Sequence, residues 1–501
     1  MRTATAVLRF GDQAAKSILE HRKVLERARQ VWWGWWRKDF EPDQVVLLRK
    51  LKNLAAKGNL RVGLVNREED ALYAANCAEV YYYHDATRVR CPEVELCPPY
   101  YQEIACSAWF RLTWISEPLS EREYNQEFGP APSNDPTLYE VRRGGQGIEV
   151  LPKPSWNLTQ INTRGSAILH ISDLHFGEDH AYVLDKDAPG QNVDVPTLTE
   201  KIMDGLDDLD LDVGVVVVSG DLITRGEPRY FTDVEVFLDR LIDQLDLTHQ
   251  HVVIVPGNHD FHILGPNPTV DYRHEADYRR FVQNFYHLKS HEAQDLERIH
   301  RYATGDGWDL IFVALNSARL RTTETKEYGY VGKHRYEDML SYLVGTLGTR
   351  PNYFSHQLLT TVLHHHVLPV RLVDQPQPDR PLSLTADAGE LSEAFQRFGV
   401  RLVLHGHQHM PFIDGNFRAL LEAGRLRWPG LREMFYIVGN GSTGAKAQYL
   451  SDELRNNTFG VYQPTSDGIR VTMFQYSPAV RPSTLFDNIL EIRESWITND
   501  D

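Results

Sequence analysis

The chain has 501 residues, of which 42% are hydrophobic and 24% charged, enough for two or three domains with real cores. Its formal net charge of -16 counts against a protein that grips duplex nucleic acid mainly through phosphate contacts. The N-terminus MRTATAVLRFGDQ has no apolar core behind its arginine, and no apolar run reaches the length of a membrane span, so neither signal peptide nor span is expected, and the cytoplasm is the expected location.

Residues 1–118 are crowded with aromatics and predict a small α+β module with a ligand-sensing or nucleic-acid-sensing role. A helix capped by Asp12 leads to VWWGWW at 31–36, and strand-like pieces follow at 60–65, 78–85 and 107–115. In an extended VWWGWW, Val31, Trp33 and Trp35 face one side, and Trp32 and Trp36 the other. One set builds a core and the other is free to stack on a flat ligand such as a nucleobase; Trp33 and Trp35 are the candidate pair. The four cysteines, Cys77, Cys91, Cys97 and Cys106, lack the paired C-x-x-C spacing of common zinc sites and read as reduced, partly buried thiols. Residues 119–166 are rich in Pro, Gly and charge and predict a linker.

From Ala167 the texture alternates between apolar runs and amphipathic segments. Candidate strands are AILHIS (167–172), VGVVVVSG (213–220), VVIVPG (252–257), LIFVALNS (310–317), LTTVLH (359–364) and RLVLHG (401–406). Continuous apolar runs are the mark of strands covered on both faces, so this half predicts an α/β domain with layered sheets over 167–480. A helix is expected at 230–245, and antiparallel strands near 435–442, 459–466 and 469–476. Residues 481–501 read as an acidic tail.

Chemistry gathers immediately after five of these runs. They deliver Asp173-Leu174-His175, Asp221, Asn258-His259-Asp260, His364-His365-His366 and His405-Gly406-His407-Gln408-His409. Carboxyl ends of strands are where α/β sheets place functional groups. Asp, His and Asn without thiolate suit borderline divalent metals such as Mn, Fe or Zn. In D-x-H and H-x-H, alternate residues of an extended segment aim at one point. Asp221 is suited to bridging two cations, and glycines before Asp221 and Asn258 and between His405 and His407 let the backbone turn beside them. One such piece means little; five, each after an apolar strand, are a specific signal.

Those pieces, D-L-H at 173–175, G-D-L-I-T-R-G at 220–226, G-N-H-D at 257–260, the histidines at 364–366 and G-H-Q-H at 406–409, resemble the calcineurin-like metallophosphoesterases. In style they are most similar to class III cyclic nucleotide phosphodiesterases. The resemblance covers residues 167–445 and implies a four-layer αββα sandwich. It further implies that Asp173, His175 and His409 hold one metal, that Asn258, His364 and His407 hold a second, and that Asp221 bridges them. His259 would be the general acid, oriented by Asp260, and Arg225 would contact phosphate. If the chain stays extended past His364, His365 points away and His366 returns toward the pocket, where it could touch substrate.

The function expected from all this is a two-metal phosphoesterase, manganese favoured, that hydrolyses a phosphodiester by in-line attack of a hydroxide held by the metals. The substrate would be a cyclic nucleotide or another nucleotide-derived diester. The alternatives are a metal-dependent nuclease acting on single strands or ends, and a non-catalytic sensing or scaffold protein on the same fold.

Overall fold

The computed structural model describes residues 4–11, 16–37, 44–66, 71–83, 88–129, 137–144, 147–151, 156, 158–184, 195–261, 273–288, 296–320, 327–368, 384–416, 420–422, 425–427, 434–450 and 454–492. They fall into two compact units, the first covering Met1–Ser155 and Leu264–Arg273, the second Trp156–Ile263 and His274–Asp501. Asp12, the expected helix cap, lies outside the described residues.

The first unit is built on a seven-stranded sheet. In spatial order its strands are Val31–Trp35, Ala108–Ile115, Ala71–Tyr81, Leu60–Asn66, Ala4–Phe10, Leu138–Gly144 and Gly147–Leu151. The helices Lys16–Ala28 and Val45–Ala55 pack on one face around Trp33, Trp35, Phe110 and Leu112. Trp32 packs on the other, with Trp109, Cys91, Cys97 and Cys106.

Trp33 and Trp35 are therefore core, as is Trp32 on the opposite face, which corrects the stacking role expected of Trp33 and Trp35; Trp36 is exposed. Trp32, Trp33 and Trp35 are 1%, 2% and 3% exposed. Trp33 meets Phe10 edge-on and His21 at 4.3 Å, and Trp35 Nε1 donates to Thr137 Oγ1 at 2.9 Å. Alternation along a strand cannot separate core from surface when the sheet is covered on both faces. All four cysteines are free, as expected, and buried.

The stretch 119–166 is not a linker. Ser120 and Glu123 form a capping box that starts the helix Glu121–Phe128, which buries Tyr124 and Phe128 against Val7, Val65 and Tyr139. Leu138–Gly144 pairs antiparallel with Ala4–Phe10, and Gln160–Thr163 pairs parallel with Arg298–Thr304 in the second unit. Polar composition hid these elements because a capping box and an edge strand need few apolar residues.

The second unit is the four-layer sandwich expected. One sheet has six strands in the order Val252–Ile254, Val213–Val218, Ala167–Ile171, Asn457–Thr465, Gly468–Ser477 and Val480–Glu491. The other has seven, in the order Gln160–Thr163, Arg298–Thr304, Asp309–Ala314, Gln357–Val362, Leu402–His405, Phe435–Gly439 and Phe412–Asn416. Ile168, Val215 and Val217 of the first sheet meet Phe312, Val362 and Leu404 of the second in a common core. The helices Leu198–Leu206 and Phe231–Gln244 cover the outer face of the six-stranded sheet, and Lys333–Leu347 and Ala388–Phe398 that of the seven-stranded one. Val213–Val218 shows why: VGVVVV is buried at every position, so neither face can be left to water. The tail expected at 481–501 instead begins as the edge strand Val480–Glu491, locked to its neighbour by Arg470 and Asp487 at 2.8 Å. No described helix is long and apolar enough to cross a membrane.

Candidate metal centre

Strands Ala167–Ile171, Val213–Val218 and Val252–Ile254 are parallel neighbours, as are Gln357–Val362 and Leu402–His405. Their carboxyl ends bring the predicted side chains into two adjoining clusters. One holds Asp173, His175, Asp221 and His409, the other Asp221, His364 and His407, each with its donor atoms within 4.8 Å of one another. Asn258 joins the second, its Oδ1 lying 3.2 Å from His364 Nε2. Asp221 belongs to both.

The route to this geometry differs from the extended D-x-H and H-x-H expected. Asp173, His175, Asp221, His407 and His409 all have left-handed backbone, with φ of 52°, 49°, 52°, 78° and 53°. Non-glycine residues held there cost about 1–3 kcal/mol each and persist only where surrounding structure over-determines them. That structure is visible. Thr443 N and Gly444 N donate to the carbonyls of Ser172 and Asp173, and Ser442 Oγ donates to Asp173 O at 2.7 Å. Thr224 Oγ1 donates to His175 O at 2.9 Å. The glycines serve mainly to make room. Gly220, at φ 95°, would place a Cβ 2.5 Å from His364 Nδ1; a Cβ on Gly257 would collide with Asp221 Oδ1, and one on Gly406 with Ser172 Oγ.

The centre fits cations by a test internal to the structure. His364 Nδ1 donates to Ser219 O at 2.8 Å and His409 Nδ1 to Tyr449 O at 2.7 Å, because a carbonyl only accepts. In its neutral form each ring then aims a bare Nε2 lone pair into the centre. There His409 Nε2 lies 3.0 Å from His175 Nε2 and 3.3 Å from Asp173 Oδ1. His364 Nε2 lies 3.2 Å from His407 Nδ1 and 3.3 Å from Asp221 Oδ2. Lone pairs converging on lone pairs inside a protein repel unless positive charge sits among them. The ionisation equilibria carry the same message. Burial lowers the pKa of His175 to about 3. Burial also opposes charge on His364, yet the carboxylate of Asp221 outweighs it and pushes that ring up to about 9. A proton on His364 or a cation beside it would answer the same buried carboxylate.

The remaining predicted residues sort by position. His259 is half-buried, its ring perpendicular to that of His175 with centroids 5.1 Å apart, and its backbone N–H donates to Asp221 Oδ1 at 2.8 Å. Asp260 does not orient the His259 ring: its carboxylate accepts from the backbone N–H groups of Leu222, Ile223 and Gly257 at 2.7, 3.2 and 2.7 Å. It staples the loop bearing Asp221 to the turn bearing Asn258. Arg225 is exposed at φ 53°, next to Gly226, whose N–H donates to His259 O at 2.7 Å. Among the described residues it has no ion pair. His365 joins neither cluster and bonds Ser317 Oγ through Nδ1 at 2.9 Å. His366 does not return to the pocket. It has no exposed surface, and its ring lies 5.9 Å from that of buried His405, because the chain past Val362 is no longer extended.

Residues 6–133 match the Pua-like family and residues 166–411 the calcineurin-like phosphoesterase family. The uncharacterized metallophosphoesterase-like protein YydB of Bacillus subtilis (strain 168) is 32% identical over 94 residues, so the match spans only 18% of this chain and 17% of that protein. Among solved structures, the calcineurin-like phosphoesterase YfkN from Bacillus subtilis aligns with 67% of this chain and 92% of its own, at 13% identity and a TM-score of 0.31. A putative 5'-nucleotidase from Staphylococcus aureus aligns with 67% of this chain and 56% of its own, at 12% identity and a TM-score of 0.29. With their Asp, Asn and His side chains converging at the strand ends of an αββα sandwich, residues 166–411 form a calcineurin-like phosphoesterase domain.

Proposed function

We propose that the protein is a two-metal phosphodiesterase acting on a cyclic nucleotide or another nucleotide-derived diester, with manganese favoured over iron or zinc. The observation that carries the two-metal reading is the convergence of Asp and His donor atoms on two adjoining points that share Asp221. In this reading Asp173, His175 and His409 hold one cation, Asn258, His364 and His407 the other, and Asp221 faces both. Two divalent cations bound there about 3.5–4 Å apart would lower the pKa of a shared water and offset charge building on a phosphoryl group under in-line attack. The preference for a diester rests on the style of HISDLHFG, VVVSGDLITRG and HGHQHMP. Four buried, unpaired thiols fit the reducing cytoplasm as its location.

The chain's own part is positioning and proton transfer. Ser219 O and Tyr449 O fix the ring orientations of His364 and His409. His259 lies beside the clusters and joins neither; half-buried, it can bring an N–H to a departing oxygen. Its backbone is tied to Asp221, so the acid and the shared carboxylate move as one. Arg225 supplies a guanidinium for a phosphoryl oxygen.

A nuclease reading is favoured by one observation in the first unit. Trp36 and Trp114 are 48% and 44% exposed, with the guanidinium of Arg88 3.8 Å from the first ring and that of Arg61 5.1 Å from the second. Exposed indoles beside arginines can stack unpaired bases. A panel separates the readings: an aryl phosphodiester, cyclic mononucleotides, nucleoside monophosphates and single-stranded oligonucleotides. We expect diester hydrolysis that disappears on exhaustive chelation and returns with manganese. Preference for oligonucleotides selects the nuclease, hydrolysis of monoesters alone overturns the diesterase, and turnover that survives chelation sinks the mechanism.

A further inference from the structure

Ser317 lies three residues past the strand Asp309–Ala314 and outside the proposed ligand set. Its side chain is fully buried. Its Oγ lies 3.2 Å from the backbone N of His364, 3.1 Å from that of His365 and 2.9 Å from His365 Nδ1. The first two groups can only donate, and together they occupy both lone pairs of the hydroxyl oxygen. The hydroxyl hydrogen must then go to the third contact, which makes His365 Nδ1 an acceptor.

One hydroxyl thus fixes two things. It pins the backbone that carries His364, just past the strand Gln357–Val362. It also sets the His365 ring, which packs on the ring of His407 with centroids 4.5 Å apart. His364 and His407 are two of the three side chains that join Asp221 in the second cluster. The first cluster is braced elsewhere, by Ser442 on Asp173 and Tyr449 on His409.

We propose that Ser317 is a positioning residue for one cation subsite, that of Asn258, His364 and His407, and has no hold on the other. The proposal rests on the two-metal reading. Its test is a manganese titration in chelator-buffered solution, followed by electron paramagnetic resonance, which distinguishes a spin-coupled pair from an isolated ion. In Ser317→Ala one site should fill as in the wild type. The other should weaken about 10–100-fold, the usual cost of losing an outer-shell partner. At intermediate manganese, isolated ions should then replace the coupled pair. Ser317→Thr keeps the hydroxyl and should restore the pair. Equal weakening of both sites, or filling indistinguishable from wild type, overturns the proposal. Should Ser317→Ala fail to fold, His365→Asn keeps an acceptor for Ser317 and removes the ring from His407; the same one-site loss is expected, and the same two outcomes overturn it. Wild-type protein that takes up fewer than two ions is a different result: it refutes the two-metal reading itself.

Discussion

Asp221→Asn should give a folded protein that holds neither cation and turns over no substrate. Oδ1 of Asp221 accepts the N–H of His259 at 2.8 Å, so an asparagine would keep its oxygen there. Its amide nitrogen would then take the place of Oδ2, which faces His364 Nε2 at 3.3 Å and His175 Nε2 at 3.8 Å. A donor would point where both cations belong. The same NH2 can bond the bare His364 Nε2, so the metal-free variant should melt no lower than metal-free wild type. Losing an outer-shell partner costs roughly 10–100-fold in metal affinity; losing the shared ligand should cost more, at both sites together. Metal content after dialysis and a thermal melt check this. A variant that keeps one full equivalent of metal would show that Asp221 is not shared.

His259→Ala should separate chemistry from binding. The side chain joins neither cluster, and its backbone N–H, the part bonded to Asp221, survives the substitution. Metal occupancy should hold while turnover falls by roughly 10²–10⁴-fold, the range for loss of a general acid. The deficit should shrink as the leaving group becomes more acidic, since a good leaving group needs no proton. Loss of metal along with activity would make His259 a ligand. A deficit that ignores the leaving group would leave it only an electrostatic role.

The seven proposed metal-binding residues were legible because each follows an apolar run, and strand ends are where a layered α/β sheet exposes function. What could not be read was the path of the backbone at those ends. D-x-H suggests an extended segment, yet Asp173 and His175 reach the centre through left-handed turns held by Thr224, Ser442 and Thr443, residues whose types are common in any loop. Asp260 next to His259 invites a side-chain pair, but three backbone N–H groups from two loops claim its carboxylate. The tryptophans misled because alternation gives the face of a strand and says nothing of what covers it. Ser317 carries no sequence signal: only the meeting of two strand ends gives its hydroxyl three partners.

The most direct test is anomalous diffraction from crystals grown with manganese. Two peaks about 3.5–4 Å apart are predicted. One should be ringed by Asp173, His175 and His409, the other by Asn258, His364 and His407, with Asp221 between them. A single peak, or peaks away from these side chains, would contradict the account.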